Sequence, residues 1–215
     1  MSVSFKYLPV RARLEPSYMF LSSLNIPWST ETLDWKEFAE QKRTVLPFGG
    51  QLPLMNLSIP PNSTPISTTQ SKNILKTLRD VYQPQELPAR ITTDEHVDAA
   101  DDLSIITRLM NFPQTHGSGA AIPNQLRSFK PYLKFLNHVS LEDTPFLKSD
   151  TITIADYAFF HIVDCHETVE PGVLKASPNV IAWQDRVRAT SGVGDYLNGR
   201  VPLGMLGEHT LPNAK

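Results

Sequence analysis

The chain has 215 residues, with 20 Lys and Arg against 22 Asp and Glu, and 40% of its residues are hydrophobic. A chain of this length buries roughly 70% of its unfolded surface, so its core needs no disulfide or metal for stability. The formal net charge of -2 gives no basic field for a phosphate polymer, which argues against a nucleic-acid partner. The N-terminus lacks the apolar segment of a signal peptide, and no apolar run approaches the about 20 residues that span a bilayer. We therefore expect a cytoplasmic protein without a membrane partner.

A single cysteine, Cys165, cannot form an internal disulfide and supplies neither a redox pair nor a cysteine zinc cluster. This usage fits a reducing compartment, and the residue itself is most simply a small buried hydrophobe. His161 and His166 are five residues apart, which does not place them on one helical face. The sequence therefore predicts no metal site.

The first 82 residues alternate between strand and helix patterns. Period-two alternation and aromatic residues indicate strands, while Pro16 in a first turn and Asp34 as an N-cap indicate helix starts. The predicted elements are, in chain order, strand 3–8, a helix from Glu15 to Leu24, strand 28–33, a helix from Asp34 through Ala39, strand 52–57 and a helix over 70–82. The polar, proline-rich stretch 58–69 has the composition of a loop, and a strand within it is left open as the alternative. This part is predicted to be a small α/β domain over residues 1–82.

Residues 83–90 are predicted to be a linker, because they are polar, contain two prolines and show no periodicity. Strand patterns are missing after it, so residues 91–215 are predicted to form an all-helical domain. Its predicted helices are one opening at the capping box Thr92–Glu95 and reaching Met110, one over 124–138, a very apolar one opening at Thr153–Asp156, and one opening at Ser177-Pro178.

Five motifs in this order resemble the cytosolic glutathione transferases, and among them the tyrosine-dependent, sigma-like class. They are Tyr7-Leu-Pro-Val-Arg-Ala-Arg-Leu-Glu15, Asp34-Trp35, Leu46-Pro-Phe-Gly with Gln51-Leu-Pro-Leu, Gln70-Ser71, and Thr153-Ile-Ala-Asp-Tyr157 with Asn179-Val-Ile-Ala-Trp183. The resemblance implies an N-terminal thioredoxin-like domain with a mixed four-stranded sheet, followed by a C-terminal helical bundle. It also implies glutathione as cosubstrate, with no further cofactor, and a small hydrophobic electrophile as the second substrate.

Tyr7 and Arg13 are the catalytic residues that the resemblance implies. The sulfur of glutathione must become a thiolate, and the pKa of a free thiol is about 8.5. A tyrosine hydroxyl bonds a charged sulfur more strongly than a neutral one, so it lowers that pKa. Arg13 would add positive potential, whereas Arg11 is assigned a structural or surface role. Without the resemblance, Tyr7 would be read as a half-buried strand aromatic. Residues 1–82 contain no cysteine, so a reacting sulfur must arrive with the cosubstrate.

Leu52, Pro53, Gln70 and Ser71 are expected to bind the peptide. A cis bond at Leu52-Pro53 would let the backbone of Leu52 pair with the cysteinyl residue like an added strand, whereas a trans proline could simply begin a strand. Gln70 and Ser71 lie at a helix N-terminus, which favours the γ-glutamyl carboxylate. Ser71 alone could equally be an N-cap.

Trp35 and a basic residue, Arg43 or else Lys42, are expected to hold the glycyl carboxylate. The other interpretation of Arg43 is a solvated surface charge.

An aspartate of the long helix is implied to reach across a two-fold homodimer to the γ-glutamyl amine of the neighbouring subunit. Asp98, Asp101 and Asp102 are the candidates, and Asp102 is preferred. An acidic first turn, stabilised by the helix dipole, would explain the same residues.

The electrophile pocket is expected beside Tyr7 and between the domains, lined by Leu8, Pro9, and Ile106 or Met110. The apolar tail 201–206 could cover it.

Two other functions are compatible with the same residues. One is a glutathione-dependent isomerase or peroxidase on the same fold, of the prostaglandin D synthase type. The other is a non-catalytic ligand carrier or structural protein, which is favoured by Asn73, Lys76 and Thr77 in the third helix, where the family usually has alanine, arginine and tyrosine.

Overall fold

A mixed four-stranded sheet forms the N-terminal part of the computed structural model of the protein. The structure describes residues 1–10, 12–42, 44, 46, 50–59, 65–104, 127, 129–141 and 143–200, with only the backbone at 35, 139, 140 and 169. The strands are β1 (Ser2–Tyr7), β2 (Trp28–Thr32), β3 (Leu54–Ser58) and β4 (Ile66–Thr69), in the spatial order β2-β1-β3-β4. β1 runs parallel to β2 and antiparallel to β3, which in turn is antiparallel to β4.

The alternation in β1 explains where its last residue lies. Val3, Phe5 and Tyr7 are buried on one face, and the intervening Ser4 and Lys6 are half-buried. Tyr7 pairs with Thr32 at the last position of the parallel β1–β2 ladder. Tyr7 therefore lies at the C-terminal end of β1, an inner strand of the sheet, next to the loop that leads into the first helix.

β4 decides between the two alternatives for the stretch 58–69, because residues 66–69 form a strand. β4 pairs along its whole length with β3, and Ile66 and Ser67 are exposed. A short, polar edge strand has only one neighbouring strand and little to bury, so its sequence carries no hydrophobic alternation.

Three helices accompany the sheet: α1 (Glu15–Ser23), α2 (Trp35–Gln41) and α3 (Ser71–Tyr82). Pro16 lies in the first turn of α1, as predicted. Asp34 caps α2 by accepting a hydrogen bond from the Glu37 N–H at 2.8 Å, while the Glu37 carboxylate accepts one from the Asp34 N–H at 2.8 Å. The predicted starts of these helices thus agree with the structure to within one residue.

The long helix α4 spans Leu87–Leu103, so the predicted start at Thr92 is wrong. Pro88 is in the first turn of α4, where its missing N–H costs nothing, and Glu86 takes the extended N-cap conformation. The capping-box pattern at Thr92–Glu95 therefore lies inside the helix. Only 83–86 separate α3 from α4, and the division of the chain into domains with a linker stays a prediction.

The C-terminal part is helical throughout the residues that are described. A helical stretch over 129–135 continues as a single π-helical turn, Leu136–Ser140. Three helices follow: α5 (Ile154–Val169), α6 (Pro178–Ala189) and α7 (Val193–Gly199). α5 and α6 begin as predicted, whereas α7 was not predicted. One helix was predicted to reach Met110, and its residues 105–110 lie outside the described residues. Another was predicted over 124–138, and its residues 124–126 and 128 lie outside them as well.

α5 is the central helix, as its apolar sequence predicts. α4, α1 and α6 pack against it, and its side chains are buried on several faces, among them Tyr157, Phe159, Phe160 and Val163. α1 therefore packs on the C-terminal part as well as on the sheet. The predicted architecture, a mixed four-stranded sheet followed by a helical bundle, is confirmed.

The first turn of α5 contains a fully buried carboxylate, Asp156. It accepts hydrogen bonds from the N–H of Thr153 at 2.8 Å, the hydroxyl of Thr153 at 3.0 Å, the N–H of Leu147 at 3.0 Å and the indole Nε1 of Trp183 at 2.8 Å. Burial raises the pKa of Asp156, and these four hydrogen bonds oppose the rise. Asp156 thereby joins the start of α5 to the preceding loop and to α6.

None of the helices in the described part of the chain has the length and apolar character required to cross a membrane.

Candidate active site

Tyr7 is buried at the end of β1, with 6% of its surface exposed. Its hydroxyl oxygen accepts a hydrogen bond from the backbone N–H of Arg13 at 3.2 Å. Burial raises the pKa of Tyr7 above its ordinary value, against the lowering effect of the Arg13 N–H. The phenol therefore stays neutral near pH 7, and its own hydrogen has no acceptor within the described residues. It can be donated to a ligand.

Arg13 connects the two parts of the molecule. Its Nη1 is 3.0 Å from a carboxylate oxygen of Asp101 on α4 and 3.4 Å from the hydroxyl of Ser71, and its Nη2 donates to the hydroxyl of Ser104 at 3.0 Å. The sequence predicted a positive charge directed towards the thiolate. In the structure the guanidinium is directed to an aspartate of α4 and to the N-terminus of α3, while the backbone N–H of the same residue contacts Tyr7.

Gln70 and Ser71 lie at the N-terminus of α3, as predicted. Gln70 has a φ of 68°, a left-handed conformation that is uncommon for a residue other than glycine. Its side-chain amide donates a hydrogen bond to the side chain of Gln51, just before Leu52. Ser71 is buried at the first position of the helix, where the dipole and the N–H groups favour an anion.

The Leu52–Pro53 peptide bond is cis. Leu52 is half-buried and Pro53 is buried, and the β3 ladder begins only at Leu54. The backbone of Leu52 therefore lies beyond the paired part of the sheet, on the side of Gln51 and Gln70. The structure thus places Gln70 beside Gln51, which precedes Leu52, and the neighbouring Ser71 within 3.4 Å of the Arg13 guanidinium.

The predicted glycyl-binding residues lie only partly within the described part of the chain. Trp35 is the first residue of α2, and its side chain is outside the described part, as is the whole of Arg43. Lys42 ends α2 with its Nζ 5.7 Å from the centre of the Phe38 ring. Gly50 has a φ of 73°, and a Cβ there would lie 2.2 Å from the Lys42 carbonyl oxygen, so this approach requires a glycine.

The three candidate aspartates of α4 have different surroundings. Asp101 pairs with Arg13, and the Nζ of Lys72 is 3.8 Å from its other oxygen. Asp98 is 3.0 Å from the Nζ of Lys76, and although burial raises the pKa of Asp98, this lysine and Lys72 hold it below its usual range. Asp102 is exposed and forms no ion pair within the described residues. It is the one free to contact another molecule, and its role across a dimer stays a prediction.

A cavity of about 340 Å³ borders Tyr7, and Leu8 and Pro9 line it as predicted. Its other walls come from β2, α1 and α7, not from α4. Ile106, Met110 and the tail 201–206, which the sequence suggested for this pocket, lie outside the described residues.

A second, narrow cavity of about 40 Å³ lies between Arg13, Ser71 and Asp101. A third, of about 730 Å³, lies between α4, residues 131–135 and α5, and none of the predicted site residues lines it.

The sequence missed a network that joins α1 to α7. The buried carboxylate of Glu15 accepts a hydrogen bond from the Tyr196 hydroxyl at 2.8 Å, and the Nη1 of Arg200 is 3.5 Å from its other oxygen. The Nη2 of Arg200 also contacts Asp164 of α5 at 3.0 Å. Glu15 was noted only as the first residue of a helix. Nothing local in the sequence marks Tyr196 or Arg200, because their partners are more than 30 residues away.

Within the described residues, no group of three or more His, Cys, Asp and Glu side chains is arranged to hold a metal ion. Cys165 is buried in α5, with its Sγ 3.8 Å from Nδ1 of His161.

The chain is similar to known proteins over most of its length. Residues 114–200 match the family model "Glutathione S-transferase, C-terminal domain". The chain is 26% identical over 200 residues to glutathione S-transferase P 1 of Xenopus laevis and 25% identical over 200 residues to glutathione S-transferase P of Pongo abelii, covering 89% of each chain in both cases.

Solved structures with the same fold include "rat hPGDS complexed with a quinoline", with a TM-score of 0.77, 20% identity and coverage of 94% of this chain and 98% of that one. The Pi-class glutathione S-transferase of Onchocerca volvulus gives a TM-score of 0.73 at 22% identity, with coverage of 93% and 94%. The chain is therefore similar in sequence to glutathione S-transferases over most of its length, and it shares the fold of these solved structures.

Proposed function

We propose that this protein is a glutathione S-transferase, which ionises glutathione with the help of Tyr7 and conjugates it to small hydrophobic electrophiles. The single observation that carries the proposal is the state of Tyr7. It is a buried, neutral phenol whose oxygen is held by the N–H of Arg13 and whose hydrogen is available beside a cavity. Similarity to glutathione S-transferases supports glutathione as the ligand.

The proposed role of Tyr7 is to donate a hydrogen bond to the sulfur. Burial makes its ionisation unfavourable, so it does not act as the base that removes the thiol proton. A hydrogen bond to a charged acceptor is worth about 1.5–3 kcal/mol, and most of this is absent while the sulfur is protonated. The difference lowers the pKa of the bound thiol, whose proton leaves to solvent. The thiolate then attacks the electrophile.

The peptide is proposed to lie across the sheet end where the other predicted residues meet. Ser71 and Gln70 at the start of α3 would bind the γ-glutamyl carboxylate, and the backbone of Leu52 would pair with the cysteinyl residue. Trp35 and Arg43, or Lys42, remain the proposed ligands of the glycyl end. Arg13 would act by fixing Ser71 and its own backbone N–H, since its guanidinium is paired with Asp101.

The homodimer, the cytoplasmic location and the sigma-like class are proposals of the same kind. Asp102 would reach the neighbouring subunit, in keeping with its exposure. An isomerase or peroxidase would use the same thiolate and differ only in its second substrate, so a panel of electrophiles and peroxides separates these activities.

The thiolate itself provides the direct test of the proposal. The ultraviolet absorbance of glutathione bound to the protein is titrated with pH, with S-methylglutathione, which has no ionisable thiol, as the matched control. We expect an apparent thiol pKa clearly below about 8.5. Binding without any lowering of that pKa would favour the non-catalytic ligand carrier, and absence of binding would remove glutathione from the function.

A further inference from the structure

The cavity of about 730 Å³ is separate from the proposed glutathione site. It lies between α4, the helical stretch 129–135 and α5, and Asp101, the α4 residue that pairs with Arg13, is not among its lining residues. Small-molecule sites usually have volumes of about 300–1,000 Å³, are lined mainly by apolar side chains, and are common between the helices of a bundle. The size and position of this cavity therefore suit a small organic ligand.

Three aromatic rings form the apolar surface of the cavity. Phe159 of α5 is buried, Tyr132 is half-buried, and Phe135 has 43% of its surface exposed. A phenylalanine with this exposure beside a cavity is ring surface that the described part of the chain leaves uncovered. The cavity therefore offers aromatic contact area to a ligand.

His96 supplies the cavity with an unused hydrogen-bonding group. It is 9% exposed, and its Nδ1 is 2.7 Å from the carbonyl oxygen of Thr92, one turn earlier in α4. Because a carbonyl oxygen can only accept, Nδ1 carries the hydrogen, and Nε2 of the neutral ring is an acceptor. Nε2 is buried and has no hydrogen-bond partner within the described residues. A ligand that donates a hydrogen bond to Nε2 would satisfy it.

The orientation of the His96 ring is fixed before any ligand binds. The Phe159 ring packs against it edge to face, with the ring centres 6.4 Å apart and the planes inclined by 72°. Turning the imidazole over would break the bond from Nδ1 to the Thr92 carbonyl oxygen. Nε2 is therefore a preorganised acceptor, which spares a ligand the entropic cost of ordering it.

His166 shows that such an acceptor alone does not make a site. Its Nδ1 is 2.7 Å from the carbonyl oxygen of Ile162, and its Nε2 is also buried without a partner among the residues that the structure describes. Its ring is stacked on Phe129, and it lines none of the three cavities described above. His96 differs because its free acceptor lies beside a cavity with aromatic walls.

The charged side chains at the cavity balance one another. Glu95 and Lys148 line it and are exposed, and neither forms an ion pair within the described part of the chain. Both can remain hydrated, and together they carry no net charge. Because moving an unpaired charge out of water is costly, the cavity favours a neutral ligand over an anion or a cation.

From these observations we propose that the cavity is a second ligand site. It binds a neutral aromatic molecule with one hydroxyl group, a phenol, with the rings of the ligand against Phe135 and Phe159 and its O–H donated to Nε2 of His96. No bond is made or broken in this site, and its occupation does not depend on glutathione. His96 determines the specificity for a hydrogen-bond donor.

The test compares two ligands that differ in one hydrogen bond. Equilibrium dialysis measures the dissociation constants of para-phenylphenol and of para-fluorobiphenyl, whose fluorine is close in size to a hydroxyl group but cannot donate. Their ratio reports the hydrogen bond, because the hydration of each compound is the same for every variant. We expect wild type to bind both, and the preference for the phenol to fall by about fivefold in His96→Leu. An unchanged ratio, or no binding to wild type, would overturn the proposal.

His166→Leu is the matched control, because it removes a histidine with the same hydrogen bonding away from the cavity. It should leave the preference for the phenol unchanged, and a fall as large as that in His96→Leu would contradict the assignment. Ala99→Phe keeps the test decisive if His96→Leu does not fold. Ala99 is half-buried and lines the cavity, so the larger side chain fills the site without removing a polar group. We expect both compounds to bind at least about tenfold more weakly, and wild-type affinity would refute the site.

Repeating the dialysis with saturating S-methylglutathione separates this inference from the proposed transferase activity. The dissociation constant of para-phenylphenol should stay the same, because the two sites share no lining residue. Competition would place the phenol beside Tyr7 and refute the second site. The outcome for the transferase rests on the pKa of bound glutathione, so either proposal can fail alone.

A second copy of the chain is the other candidate occupant of the cavity. Sedimentation velocity of wild type and of Ala99→Phe distinguishes it from a small molecule. We expect the same sedimentation coefficient for both proteins. Dissociation of a wild-type dimer in Ala99→Phe would assign the cavity to a subunit interface and overturn the proposal.

Discussion

Tyr7 and Asp156 are both buried polar groups at the ends of secondary structure elements, but their hydrogen bonding differs. Asp156 accepts four hydrogen bonds and lines none of the cavities found around the described residues. Tyr7 accepts one hydrogen bond, keeps its hydrogen available and borders a cavity. A buried polar group whose hydrogen bonds are all made within the protein stabilises the fold. One that can still donate a hydrogen bond beside a cavity can act on a ligand. The four predictions below test this distinction.

Replacement of Asp156 should have the largest effect. In Asp156→Asn, an NH₂ group faces donors that now lack an acceptor, so we expect the free energy of unfolding to fall by about 3–5 kcal/mol. Urea unfolding followed by circular dichroism measures it. The exposed Asp150→Asn is the control and should leave the midpoint unchanged. A loss under about 1 kcal/mol would mean that the four bonds contribute little to folding.

His166 extends the comparison to a buried group that is kept neutral. It is stacked on Phe129 with ring centres 3.6 Å apart, and burial lowers its pKa from 6.5 to about 4. Because the folded pKa is below the unfolded one, its contribution to stability is complete above pH 6.5 and is lost as the pH falls towards 4. The loss is about 1.4 kcal/mol per pH unit, or about 3 kcal/mol over this range.

The measurement is the urea midpoint as a function of pH. His166→Gln should flatten the decline between pH 6.5 and 4, whereas His138→Gln, at an exposed position, should keep the wild-type slope. Parallel pH curves for wild type and His166→Gln would contradict the prediction.

Tyr7→Phe should separate catalysis from stability. Removal of a hydrogen bond to the thiolate is expected to lower kcat/KM with an aryl halide by about 10- to 150-fold, which corresponds to about 1.5–3 kcal/mol. The unfolding free energy should fall by only about 1 kcal/mol, because one N–H loses its acceptor. Tyr132→Phe removes a half-buried hydroxyl elsewhere and is the control. If Tyr7→Phe keeps the wild-type rate, Tyr7 is a packing residue.

Tyr196→Phe should have the smallest effect. The ring stays in the cavity wall and Glu15 keeps Arg200, so only one hydrogen bond is lost, at a cost of about 1 kcal/mol in unfolding free energy. Thermal unfolding and conjugation rates are measured together. If Tyr196→Phe loses as much activity as Tyr7→Phe, then Glu15 positions the reacting groups in addition to holding α7 in place.

Local patterns in the sequence were sufficient for the elements that depend on neighbouring residues. The caps at Asp34 and Thr153, the alternation ending at Tyr7 and the apolar helix α5 all follow from spacings of a few residues. The start of α4 was missed because Pro88 was read as part of a linker, although the same residue type had correctly marked the start of α1. The residue pattern alone could not distinguish β4 from a loop, because an edge strand needs no apolar face.

The contacts that shape the candidate site are those the sequence could not provide. Arg13 and Asp101 are 88 residues apart, and Glu15 and Tyr196 are 181 apart. Each is an ordinary charged or aromatic residue in its own segment, and only the packing of α1 against the helical part brings the pairs together. Resemblance to a family suggested Tyr7 and Ser71 as site residues, but not Trp28 and Tyr196, which line the cavity beside Tyr7.

The packing of α1 has a consequence for how the molecule is made. The sheet is complete by residue 69, yet α1 packs against α5 and α7, which are two of the last three helices in the described part of the chain to be synthesised. Until they emerge from the ribosome, the side of α1 that packs against them, where Phe20 meets Tyr157 of α5, has no cover. The nascent N-terminal half is therefore expected to be a client for chaperones, and an isolated fragment ending at residue 82 should precipitate rather than fold.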